Sequence, residues 1–198
     1  MTKSSDDFRI LVVDDNRELR EILEEYLRGE GDNVEGASNG KQALEKHSKN
    51  PYHLIITDLN MPEITGMEMI KTIQKENDAT EFVIITGYAS IDSAVEAIKL
   101  GAFDYIVKPF RMEELKVVVK NVREKVRLKR LNAQLYETLK SFYGEIERYR
   151  QKTIDAINDK ENKEEPTESV LESVGDTEKI VQEIKNLERL RKGRLLID

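Results

Sequence analysis

The chain has 198 residues, 38% hydrophobic and 36% charged, with ten glycines, four prolines and no cysteine. That length suits one ordinary domain with an appendage better than two full domains. Its formal charge of −7 is unevenly placed, with 23 acidic against 15 basic residues in 1–120 and 16 against 17 in 121–198. An acidic chain is a poor general ligand for nucleic acid or anionic membrane, although a local basic patch stays open to either. The absence of cysteine excludes disulfides, thiolate metal sites and a catalytic thiol, so any chemistry rests on oxygen and nitrogen groups. The amino terminus lacks the apolar core of a signal peptide and no stretch approaches ~20 apolar residues, so a soluble cytoplasmic protein is expected, with no membrane partner.

Short apolar runs alternate with amphipathic segments from Phe8 to Val107. The first run, FRILVV at 8–13, is followed by Leu19, Ile22, Leu23, Tyr26 and Leu27 at helical spacing. NVEGA (33–37) and HLIIT (53–57) come next, then Met67, Ile70 and Ile73 on one helical face. EFVIIT (81–86) precedes Ala94, Val95 and Ile98, and FDYIV (103–107) is the last run before Leu115, Val118, Val119 and Val122. The almost continuously apolar stretches at 10–13, 54–56 and 82–85 have the pattern of strands buried on both faces. Five strands alternating with helices predict an α/β fold, a doubly wound parallel sheet covered on both sides.

The helical pattern continues past what closing such a sheet requires. Leu128, Leu135, Phe142, Tyr149 and Ala156 fall on one seam position and Asn132, Leu139, Ile146 and Thr153 on the other. This predicts a coiled coil of about four heptads, with a homodimer through 125–156 as one outcome. Thr153 and Ala156 weaken the seam, and Gly144 costs it roughly 1 kcal/mol relative to alanine. Asn132 would favour a defined two-stranded register. The predicted organisation is a domain at 1–122, a helical extension at 123–157, a charged linker at 158–176 and a short amphipathic helix at 177–198.

Open α/β sheets bind ligands beyond the carboxyl ends of their strands. Here those ends carry Asp14 and Asp15, then Asp58, Thr86, and Lys108 before Pro109. Three converging carboxylates need a counter-charge, and a hard divalent cation with oxygen ligands is the simplest, with Mg²⁺ the natural candidate. Lys108 adds a point positive charge and Thr86 a hydroxyl, which with the metal would hold a phosphoryl group on three sides. Asp58, on the central strand, is the expected nucleophile for an acyl phosphate, with Asp14 and Asp15 gripping the cation directly or through water.

ILVVDD (10–15), LIITDLNMPEITG (54–66), VIITGYAS (83–90) and GAFDYIVKPF (101–110) resemble the receiver domains of two-component response regulators, over about residues 7–122. Asp15, Asp58, Thr86 and Lys108 follow one another at family-like intervals of 43, 28 and 22 residues. The resemblance implies a flavodoxin-like (βα)5 fold of the CheY class, with strand order 2-1-3-4-5. It implies that Asp58 accepts phosphate from a histidine kinase or phosphotransfer protein. Mg²⁺ would be bound by Asp15, Asp58 and the backbone carbonyl of Asn60, with Asp14 acting mainly through a metal-bound water. Thr86 would move to the phosphoryl group, Tyr105 would rotate inward behind it, and Lys108 would pair with a phosphoryl oxygen. The Lys108-Pro109 bond would be cis.

Haloacid-dehalogenase-type phosphatases use a similar set but place a second aspartate two residues after the nucleophile. Here that position is Asn60, and an amide cannot shuttle a proton, so a phosphoacceptor without turnover is expected rather than an enzyme. Taken alone, Asp14-Asp15 would read as a turn and helix cap, Thr86 as a capping residue and Tyr105 as packing. His47 and His53 lack partners at ligand spacing and read as structural. Arg123, Lys125, Arg127, Lys129 and Arg130 invite the alternative of a phospho-regulated nucleic-acid binder. Val126 and Leu128 interrupt that cluster, so a solvated helix exit is the preferred reading. The expected output is contact with a protein partner or dimerisation.

Overall fold

The computed structural model describes residues 8–75 and 79–160. They form β1 (Arg9–Val13), α1 (Arg17–Gly29), β2 (Asn33–Ala37), α2 (Gly40–Lys49), β3 (Leu54–Thr57), α3 (Gly66–Lys75), β4 (Glu81–Thr86), α4 (Ile91–Lys99), β5 (Asp104–Val107) and α5 (Met112–Lys160). All strand pairs are parallel, in the order β2-β1-β3-β4-β5. This is the flavodoxin-like order the resemblance implies.

Alternation along each strand splits the core between the two faces of the sheet. Ile10, Val12, Leu54, Ile56, Val83 and Ile85 pack with Leu23 and Leu27 of α1 and with Leu115, Val119 and Val122 of α5. Leu11, Val13, Ile55 and Ile84 face the other way, onto Ala43 of α2, Met69, Ile70 and Ile73 of α3 and Ala97 of α4. With apolar groups buried on both faces, a one-residue slip would exchange the two sets, so the register is tightly specified. It sets Val13 beside Thr57 and Thr86 beside Val107. Asp14, Asp58 and Lys108 therefore each follow a strand at the same edge of the sheet.

Helix starts are capped by short polar side chains. Asn16 accepts the Leu19 N–H at α1, Asn39 accepts from Gln42 at α2, and Ser90 forms a reciprocal capping box with Ser93 at α4. The cap of α1 is thus Asn16, which frees Asp14 and Asp15 from that role. Nδ1 of His53 accepts the Arg9 N–H while its ring stacks on Phe8, and the buried His47 accepts from the Tyr52 N–H. Both histidines hold structure together.

The chain divides into two units, residues 1–129 and 130–198, and α5 contributes to each. In the first unit the core continues to Val126, one turn beyond Val122 on the same helical face, so the unit extends past the expected boundary at 122. The basic cluster is largely engaged there. Arg123 pairs with Asp32 and lies over the Phe8 ring, and Lys125 and Lys129 reach the two oxygens of the buried Glu81 at 2.8 and 2.6 Å. Arg127 lies 3.6 Å from Glu124. In the second unit α5 passes through Gly144 without a break and is described as far as Lys160, three residues into the stretch expected to be linker. Residues 161–176 of that linker and the helix expected at 177–198 lie outside the described residues. Leu131, Leu135, Leu139, Phe142 and Tyr149 are exposed, while Tyr136, Tyr143, Ile146 and Ile154 are half-buried.

Gly66 opens α3 against the turn after β3. A Cβ at that position would sit 2.1 Å from the Asp58 carbonyl oxygen, a backbone atom that cannot swing away. Gly66→Ala is expected to destabilise the first unit by about 1–3 kcal/mol, the range of forced overpacking. Urea denaturation would show this as a lower midpoint at unchanged slope, and an unchanged midpoint would refute the close approach.

Candidate functional site

β1, β3 and β5 deliver their trailing residues into one cleft of about 560 Å³, lined by Asp14, Asp15, Asn16, Asp58, Asn60, Tyr88 and Lys108. Each of the three central charges sits one residue past its strand, with its backbone still tied to a neighbour. The Asp14 N–H donates to Ala37 O, the Asp58 N–H to Val13 O and the Lys108 N–H to Thr86 O. The Arg20 guanidinium holds the Asp14 carbonyl at 2.6 Å, and the Thr57 hydroxyl donates to the Asp58 carbonyl at 2.8 Å. These bonds fix the backbone from which the carboxylates project.

The side chains meet at the Lys108 ammonium. It donates to Asp58 Oδ2 at 2.6 Å and to Asp14 Oδ2 at 2.9 Å. The remaining oxygens are also used, Asp14 Oδ1 accepting the Asn16 N–H at 2.8 Å and Asp58 Oδ1 the Asn60 N–H at 3.2 Å. Asp14 and Asp58 are buried, whereas Asp15 is exposed at the mouth. Burial works against the charge on Lys108, but its hydrogen bonds to Asp58 and Asp14 more than reverse this and hold its pKa above the ordinary lysine value. The amine is a committed cation.

Among the described residues no three acidic or histidine side chains converge into a ready-made metal cage. The reason is visible in the geometry, since Lys108 occupies the space between Asp14 and Asp58. The donor set still fits Mg²⁺. It consists of hard carboxylate and carbonyl oxygens around an open cleft, and Mg²⁺ keeps several of its waters, so it needs only a partial set of protein ligands.

Asp14, Asp15, Asp58, Asn60 and Lys108 come together as the sequence predicts, and the Lys108-Pro109 bond is cis. Thr86 and Tyr105 do not line the cleft. Thr86 is fully buried and its hydroxyl accepts the Tyr88 N–H at 3.2 Å, while the Tyr105 hydroxyl lies 2.9 Å from Ser93 Oγ. Sequence reasoning missed Tyr88, Asn16 and Ser93. Tyr88 is 75% exposed and stands at the cleft two residues after Thr86. An aromatic residue on a strand-to-helix loop at the carboxyl edge was the available signal. For Ser93 it was the spacing to Ser90, three residues earlier, which marks a helix start. Exposed apolar side chains also mark α4, β5 and α5, at Ile91, Val95, Ile98, Val107 and Val117.

The family model of the response regulator receiver domain matches residues 10–120, which include every residue of the cleft. The transcriptional regulatory protein ZraR of Klebsiella oxytoca is 40% identical over 125 residues, 63% of this chain and 28% of that protein. The regulatory protein AtoC of Escherichia coli is 32% identical over 131 residues, 66% of this chain and 28% of that protein. This chain thus spans little more than a quarter of the length of these relatives. Among solved structures, the response regulator protein TrrA of Thermotoga maritima, in complex with Mg²⁺ and BeF, superposes with a TM-score of 0.53 at 38% identity, over 58% of this chain and 97% of that one. Fold, cleft and sequence agree, and the chain belongs to the receiver-domain family of response regulators.

Proposed function

We propose that Asp58 is the phosphoryl acceptor of a two-component phosphorelay and that its modification switches a protein-contact output. A carboxylate oxygen of Asp58 attacks the phosphorus of a phosphohistidine on a histidine kinase or phosphotransfer protein. The P–N bond breaks, its electron pair leaves with the imidazole, and an acyl phosphate forms on Asp58. The carrying observation is the Lys108 ammonium, 2.6 Å from Asp58 and 2.9 Å from Asp14 in a cleft that Asp15 also lines. Lys108 is placed to exchange its Asp58 contact for a phosphoryl oxygen. Asp14, Asp15, Asp58 and the Asn60 backbone carbonyl would hold Mg²⁺, which when bound neutralises charge on the transferred group.

Phosphorylation adds roughly −1.5 to −2 charge beside groups now in other contacts. Thr86 would turn its hydroxyl from the Tyr88 N–H to the phosphoryl group, and Tyr105 would leave Ser93 and rotate inward. Both moves loosen the start of α4 and alter the surface carrying Ile91, Val95 and Ile98. The protein acts in the cytoplasm as a signal carrier without turnover, because Asn60 offers no carboxylate to deprotonate water. Its output is contact between proteins. The nucleic-acid alternative is weakened by Asp32 and Glu81, which engage Arg123, Lys125 and Lys129.

Acetyl phosphate should label the chain in a Mg²⁺-dependent manner, and Asp58→Ala should abolish the label; label persisting in that variant would overturn the assignment of Asp58. Lys108 gives a pH prediction. Because its folded pKa is raised, its stabilising contribution is complete below the unfolded lysine value of about 10.4 and is lost only as pH rises through the folded value. In Mg²⁺-free buffer Lys108→Met should therefore be less stable than wild type by an amount that stays constant from about pH 7 to pH 9. A gap that closes by pH 8 would show the amine is not held as a cation. Fluorescence anisotropy of duplex DNA at physiological ionic strength should stay flat on adding protein, whereas a rise that salt reverses would restore the nucleic-acid reading.

A further inference from the structure

We infer that the exposed apolar stripe of α5 in the second unit is the contact surface for a second copy of this chain, joined as a parallel, in-register pair of helices. Leu131, Leu135, Leu139, Phe142 and Tyr149 are each between 47% and 71% exposed. They recur at three-, four- and seven-residue steps, a stripe about 27 Å long at a rise of about 1.5 Å per residue. Contiguous apolar surface of this kind marks a contact site, whereas scattered exposed leucines do not. Tyr136, Tyr143 and Ile154, on another side of the same helix, are half-buried, and so is Ile146 within the stripe, whose other apolar members are left open along the described residues of this unit.

The repeat selects the occupant. Leu135, Phe142 and Tyr149 are spaced by seven, as are Asn132, Leu139, Ile146 and Thr153. A seven-residue repeat stays on one line only when the helix winds about another helix with the same repeat, and the groove of a globular partner imposes no such period. A second copy supplies that repeat by construction. Asn132 then selects the direction. In a parallel, in-register pair each seam residue meets its own copy, so the two Asn132 amides satisfy one another. An antiparallel pair aligning the same stripe would place Asn132 against Tyr149 and strand a polar amide on an aromatic ring.

The pairing does not depend on Asp58, and its test is independent of the phosphorylation reading. Since the full chain has no cysteine, Asn132→Cys and Thr153→Cys each introduce one thiol. Each variant should form a disulfide between identical positions on mild oxidation. In an antiparallel pair the two copies of residue 132 would lie about 25 Å apart along the axis, far outside disulfide reach. Sedimentation of the unmodified chain at micromolar concentration should give a dimer, and the double variant L135D/L139D should be monomeric with the urea midpoint of the first unit unchanged. The inference is overturned by a monomeric wild-type chain, by a dimer that survives L135D/L139D, or by a dimer in which neither thiol cross-links.

Discussion

The ammonium of Lys108, shared by Asp14 and Asp58, is the contact on which the carboxyl edge of the sheet depends. Two carboxylates of low exposure facing one another would repel at short range unless a cation stood between them. Placing that cation requires β1, β3 and β5 to end at one level although β4 separates the last two. The parallel register and the backbone bonds from Asp14, Asp58 and Lys108 achieve this. Other features then become legible as support. Arg20 braces the Asp14 carbonyl, Asn16 takes over the helix cap and lends its N–H to Asp14, and Gly66 lets α3 begin against the Asp58 carbonyl.

Because every carboxylate oxygen of Asp14 and Asp58 has a partner, new charge on Asp58 must displace something. On the proposed reading the displacement is taken up by hydroxyls whose present partners lie at the start of α4. Thr86 is bonded to the Tyr88 N–H and Tyr105 to Ser93, which also completes the capping box with Ser90. α4 buries only Ala97, whereas α3 buries Gly66, Met69, Ile70 and Ile73. An element held by one small buried residue and a network of serine hydroxyls opens at lower free energy than one anchored in the core. Its outer face, with Ile91 and Ile98, is correspondingly suited to change partners.

The strands could be read in advance because a parallel sheet covered on both faces leaves almost continuous apolar runs. The cleft residues could be read because such sheets keep their chemistry at the carboxyl ends. What stayed hidden depends on side-chain orientation or on distant pairing. The turn of Thr86 toward the Tyr88 N–H, and of Tyr105 toward Ser93, is a choice of rotamer that hydrogen-bond partners decide and residue type does not. Glu81 reads simply as the first residue of a strand, and its partners Lys125 and Lys129 come from 44 and 48 residues further along. Gly144 was expected to weaken the extension, yet one glycine at roughly 1 kcal/mol does not end a helix of 49 residues. The reach of the first unit past 122 rests on Val126, whose apolar side chain continues the buried face for one more turn.

That last turn also explains why α5 has a use beyond the first unit. Its buried positions at 115, 118, 119, 122 and 126 follow one face. After Val126 the apolar positions change phase by about half a turn, to 128, 131, 135, 139 and 142. A helix that merely frayed past its domain would lose its apolar periodicity there, and a solvated spacer would replace it with charge. Instead the periodicity resumes on a face that is exposed, while Arg123, Lys125 and Lys129 remain committed to carboxylates at the junction. With those cations occupied and that apolar surface open, what the helix offers beyond the first unit is hydrophobic contact, and its geometry is one that another helix satisfies best.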